Sequence, residues 1–80
     1  MRESDRYVKV VSWSEEDGCY VGMAPGLFSG GCHGDDQQAV FDELVQIVEE
    51  WIAHFNSRGE PLPPPTSGRI EQLLHLPAAE

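Results

Sequence analysis

Between Asp35 and Gly59 the apolar side chains Val40, Phe41, Leu44, Val45, Ile47, Val48, Trp51, Ile52 and Phe55 recur at steps of three and four, the period of an amphipathic helix. Asp42, Glu43, Gln46, Glu49 and Glu50 fill the other side. Asp35-Asp36-Gln37-Gln38 supplies an N-cap carboxylate with a glutamine three residues on, and Gly59, preceded by Arg58, is a fitting C-terminal stop. At 1.5 Å per residue, about 20 residues make a rod on the order of 30 Å long. In a chain of 80 residues this rod leaves room for one domain and one core. Any sheet built from the remainder can be covered by the helix on one face only.

The remainder reads as strands. Tyr7 to Trp13 is rich in β-branched and aromatic residues, and Cys19 to Met23 is its returning partner. Between them Ser14-Glu15-Glu16-Asp17-Gly18 closes on Asp-Gly, a hairpin loop with a residue at positive φ. Pro25-Gly26 breaks the second strand, and a short, glycine-weakened third strand is expected within Phe28–His33. After the helix, residues 60–68 are extended and proline-rich. In residues 69–76 Ile70, Gln72, Leu74 and Leu76 alternate as in a last strand, while Ile70, Leu73 and Leu74 also fit a helical turn. The strand is the preferred reading. The expected class is α+β: a small antiparallel sheet in the order β-β-β-α-β, with one long helix packed on one face.

Alternation adds a consequence. Tyr7, Val11 and Trp13 point one way in the first strand, and Val8 and Val10 the other; in the second, Tyr20 and Ala24 oppose Cys19, Val21 and Met23. Both faces are partly apolar and one helix is available. The second face therefore calls for another covering, and a second copy of the chain, in a dimer or higher homo-oligomer, is the expected one.

Charge excludes several functions. Five basic against fourteen acidic side chains give a formal charge of −9, a field that repels phosphate, so direct nucleic-acid binding is not expected. No apolar run reaches the roughly 18 residues of a spanning helix, and Met1-Arg2-Glu3-Ser4-Asp5 opens no signal peptide. A cytoplasmic protein with Cys19 and Cys32 reduced is the expectation.

Catalytic and metal patterns are sparse. Cys19, Cys32, His33, Asp35 and Asp36 lack paired ligand spacings, and adjacent Cys32 and His33 point to opposite faces of a strand. No serine occupies a nucleophile elbow, and Gly30-Gly31-Cys32-His33-Gly34 lacks the Lys-Ser/Thr of a phosphate loop. The acids Glu15-Glu16-Asp17 and Asp35-Asp36 are accounted for by the turn and the helix cap. Pro61-Leu62-Pro63-Pro64 matches a bare P-x-x-P, read here as a stiff connector. Neither an enzyme nor a cofactor is expected.

A strand ends near Trp13; Glu16-Asp17-Gly18 precedes Cys19-Tyr20-Val21; Ala24-Pro25-Gly26-Leu27 follows; Gly34-Asp35 opens a long helix containing Trp51-Ile52; then comes Gly59-Glu60-Pro61-Leu62-Pro63-Pro64-Pro65. The order of these pieces resembles the HicB antitoxin family. The likeness covers residues 7–65, with Tyr20, Pro25, Gly26, Gly34, Asp35, Trp51, Gly59, Pro61 and Pro63 at its motif positions. It implies a single HicB-like domain over 1–80, with 66–80 an extended C-terminal segment and the fold a reduced ribonuclease H-like one. It also implies the antitoxin of a type II toxin–antitoxin pair, whose partner is a small basic HicA-type toxin that cleaves mRNA. Longer members carry a C-terminal DNA-binding segment; here only Arg58 and Arg69 are basic after Phe55, so a short form without that module is expected. Tyr7–Trp13 contains no acid, and the apolar stripe of the helix contains none, so the two-metal catalysis of ribonuclease H enzymes is not expected.

On charge and exposure, the partner-binding residues are expected to be the acidic hairpin Glu15, Glu16 and Asp17, its neighbours Trp13 and Tyr20, and the outer helix acids Glu43 and Glu50. The alternative is a solitary HicB-like module that self-associates or binds a small ligand without a cognate toxin. A metal-dependent hydrolase using Cys32, His33 and Asp35 is the distant third.

Overall fold

The computed structural model describes residues 1–28 and 30–68. Strands β1 (Val10–Ser14), β2 (Cys19–Met23) and β3 (Cys32–Gly34) form an antiparallel sheet in that spatial order, and helix α1 (Gln37–Ser57) packs on one face. The α+β class and the β-β-β-α order are as expected. The last strand expected over 69–76 lies outside the described residues.

The hairpin forms where the turn residues place it. Ser14 pairs with Cys19, Gly18 takes φ +66°, and the Gly18 N–H donates to the Ser14 carbonyl at 2.8 Å. Asp17 braces the loop, its N–H donating to Ser14 Oγ, which donates in turn to Asp17 Oδ2. β3 is shorter and later than expected, because Gly30 and Gly31 leave little side chain to pair before Cys32. Gly31 lies so close to the Gly22 carbonyl that no Cβ would fit there.

The helix starts one residue later than the capping-box spacing implies. Asp36, not Asp35, is the N-cap, and its Oδ2 accepts from the Ala39 N–H at 2.8 Å. Gln38 consequently makes no reciprocal cap and donates to Asp42 instead. The shift sets Val40 over Gly22 and Gly34, where an added Cβ would stand 3.1 Å from a Val40 methyl in each case. At the far end Gly59 adopts φ +69°, its N–H bonds the Asn56 carbonyl and that of Glu60 bonds Phe55, a Schellman end.

Only the seam Val40, Leu44, Val48 and Ile52 is fully buried in the helix. The nine-residue apolar stripe is thus wider than the sheet beneath it: Val45, Ile47 and Phe55 are half-buried, and Phe41 and Trp51 remain 38% exposed. A narrow three-stranded sheet accepts one ridge of residues four apart and leaves its neighbours on the flanks.

Tyr7 departs from the strand expected to begin there. A 3-10 turn at Glu3–Arg6 precedes it, and its buried ring belongs to the core with Ala24, Leu27 and Cys32. The Tyr7 hydroxyl donates to the Pro63 carbonyl at 2.6 Å. The Thr66 and Ser67 N–H groups donate to the Arg6 carbonyl, and Thr66 Oγ1 accepts from the Val8 N–H at 2.7 Å. The proline-rich return is therefore fastened to the N-terminal segment, closing the core at the end opposite the hairpin.

Candidate partner-binding surface

Strand register and the helix start bring two acidic segments to one end of the molecule. Tyr20 pairs with Gly34, so Asp35 and Asp36 leave the sheet beside the loop that carries Glu15, Glu16 and Asp17. All five carboxylates are exposed. Trp13, half-exposed, stands next to them with its indole N–H donating to Glu15 Oε2 at 3.1 Å and its ring meeting Tyr20 edge-on at 5.1 Å. That aromatic pair gives the acidic end a fixed apolar anchor.

Basic groups are engaged elsewhere. Among the described residues Arg2 pairs with Glu49, Arg6 with Glu3 and Arg58 with Glu60, while the Lys9 ammonium donates to the Ser4 and Tyr7 carbonyls. Burial lowers the Lys9 pKa, against the pull of Asp5 and Glu49. None of these cations pairs with the five hairpin-end acids, so their negative field is directed at solvent.

Glu43 and Glu50 do not join that group. They stand two helical turns apart on the flank toward β3, and the Glu43 charge reaches Cys32. Beside Glu50 lies a shallow depression of about 270 Å³ lined by Ile47, Glu50, Trp51 and His54. Phe28 stacks on Trp51 there, ring centroids 5.7 Å apart and planes within 8°. No local pattern signals this stack, since Phe28 sits among loop residues and meets Trp51 only through the fold.

No described residue covers the second face of the sheet. Val10, Cys19, Val21, Met23 and His33 share it by alternation and register. A groove of about 720 Å³ there is lined by Cys19, Val21, Met23, Pro25, Phe28 and His33 among others. Cys32 and His33 take opposite sides, as adjacent strand residues do: Cys32 is buried with Sγ 3.6 Å from the Val40 carbonyl, and His33 is exposed. Burial, aided by the Glu43 charge, pushes the Cys32 thiol pKa up and keeps it protonated. Among the described residues no cluster of three or more His, Cys, Asp or Glu side chains is arranged to hold a metal ion.

Of the expected positions, Trp13, Glu15, Glu16, Asp17 and Tyr20 come together and Glu43 and Glu50 form a separate flank. Pro25 and Gly26 make the turn after β2, where Gly26 (φ +88°) lies against the Thr66 methyl. Pro61 is exposed and Pro63 supplies the carbonyl that holds Tyr7. No described helix is long and apolar enough to cross a membrane. Comparisons with protein families, curated proteins and solved structures found no match to this chain.

Proposed function

We propose that this chain is a non-enzymatic antitoxin of the HicB type, built on a reduced ribonuclease H-like fold, which captures a small basic HicA-type toxin and keeps it from RNA. The observation that carries this reading is the hairpin end: Glu15, Glu16, Asp17, Asp35 and Asp36 exposed together, paired with none of the described cations, beside the Trp13–Tyr20 anchor. An RNA-cleaving protein must present cations to phosphate. A patch of fixed carboxylates competes for those cations and speeds encounter. The order of motifs from Tyr7 to Pro65 supports the same reading.

The test is to purify the tagged chain from its source cell at low and moderate salt and identify what is retained. A small basic protein in stoichiometric amount, whose RNA cleavage stops on binding, is the expected result. Retention of no basic protein, with the bait recovered alone, would overturn the antitoxin reading.

The open sheet face favours a second reading, a solitary module that assembles with itself. Val10, Val21 and the 42%-exposed Met23 form an apolar surface with Asp17 at the edge of the groove beside it. Copies meeting there would bury that apolar surface. Val21→Lys should then dissociate an oligomer seen by sedimentation, and an oligomer unaffected by it would remove this face.

A further inference from the structure

We infer that the depression beside Trp51 is a socket for an arginine side chain of a cationic partner protein; this rests on the reading that the chain captures such a partner and assigns part of that contact to the helix flank. Trp51 lies within the apolar stripe yet stays 38% exposed, and its ring is held from several sides. Phe28 stacks on it at 5.7 Å, His54 meets it edge-on at 6.0 Å, and Phe55 tilts against it at 5.9 Å. A ring fixed before binding loses little freedom on contact. Its free surface forms one wall of the 270 Å³ depression, with Ile47 and His54 as the others.

Glu50 decides what the depression accepts. Glu50 lines the same hollow, and its carboxylate accepts one long hydrogen bond, 3.4 Å from Gln46 Nε2. It pairs with none of the described cations. An apolar occupant would strip water from that carboxylate and return no hydrogen bond, and an anion would be repelled. A cation satisfies both components, lying against the indole and pairing with the carboxylate. Arginine fits better than lysine, because a planar guanidinium can stack and donate to a carboxylate at once, and it sheds water more readily than an ammonium. Glu43, two turns earlier on the same flank, adds negative potential without entering the hollow.

The probe is a hexa-arginine peptide titrated at low salt into the isotopically labelled chain and followed by NMR, with hexa-lysine as the comparison. The Trp51 indole N–H and the amides of Ile47, Glu50 and His54 should be among the most shifted by hexa-arginine, and less so by hexa-lysine at equal occupancy. Glu50→Gln, at an exposed position with no part in the core, should weaken hexa-arginine at this site about three- to tenfold. Trp51→Leu should do the same, with retained amide dispersion confirming the fold. Shifts confined to residues 15–17 and 35–36 and unmoved by Glu50→Gln would overturn the socket while leaving capture of a basic protein intact. An equal response to both peptides at Trp51 would overturn the arginine preference. Absence of binding by either peptide would contradict the socket and the cationic-partner reading together.

Discussion

The two faces of the sheet differ in what covers them among the described residues. Toward the helix stand Val11, Trp13, Tyr20, Gly22, Ala24, Cys32 and Gly34, and the glycines let α1 approach until an added Cβ at Gly22 would lie 3.1 Å from Val40, 3.3 Å from Cys32 Sγ and 3.4 Å from Leu44. Away from it stand Val10, Ser12, Val21, Met23 and His33, with the groove beside them. On the helix side Val11 and Tyr20 pack against the core. On the other side Val10, Val21 and Met23 present apolar surface that no described residue buries, and the acids gather at the hairpin end and on the helix.

The largest test of that contrast compares one deletion on each side. Leu44→Ala removes a fully buried side chain from the closed face and should cost about 2–5 kcal/mol in urea unfolding. Met23→Ser on the open face should cost about 1 kcal/mol or less in the monomer. Similar losses at the two positions would mean that the open face is closed by something in the chain itself.

A smaller effect concerns the seam where the N-terminal segment meets residues 63–67. Tyr7→Phe removes the hydroxyl that donates to the Pro63 carbonyl and should cost about 1 kcal/mol. Burial raises the Tyr7 pKa above its usual 10.0, with Arg6 pulling against it and Glu3 adding to it. The hydroxyl's contribution is therefore full below 10.0 and is lost as pH rises through the folded value. Half-buried Lys9 acts in the opposite sense, its cost easing as pH rises through its lowered pKa toward 10.5. Stability followed into the alkaline range should converge between wild type and Tyr7→Phe; a constant gap would separate the hydroxyl from the alkaline loss.

The smallest effect is a difference in rate. Cys19 is half-buried on the open face, while Cys32 is buried under the helix with its pKa raised. A thiol-reactive maleimide should modify one cysteine per chain quickly and the second only on unfolding, and peptide mapping should place the fast one at Cys19. Equal rates would show that the helix-covered face opens as readily as the bare one.

Much of this contrast was legible in the sequence. Asp17-Gly18 located the hairpin, Gly59 located the helix end, and strand alternation identified an apolar second face. The hairpin acids were legible because the net charge and the turn pattern both pointed to them. Periodicity did not reveal how much of the stripe is buried, because it finds the apolar side of a helix but not the width of what lies under it, and Phe41 and Trp51 fall beyond that width. Tyr7 read as strand from its neighbours, whereas its place is set by Pro63 and by Thr66 near Val8, partners more than fifty residues away. Phe28 on Trp51 is likewise a contact between segments, invisible to any local pattern.

Capture of a cationic protein by the acidic end is tested by reversing that end's charge. Glu15→Lys, Glu16→Lys and Asp17→Lys together alter exposed loop side chains; the Trp13–Glu15 and Ser14–Asp17 side-chain bonds go with them, Gly18 still makes the turn, and retained amide dispersion checks the fold. The affinity of this variant for the basic protein retained by the wild type should be measured across a range of salt concentrations. Binding should weaken by tenfold or more at low salt, its salt dependence should flatten, and the partner's RNA cleavage should return. Affinity and salt dependence equal to those of the wild type would rule out capture through this end.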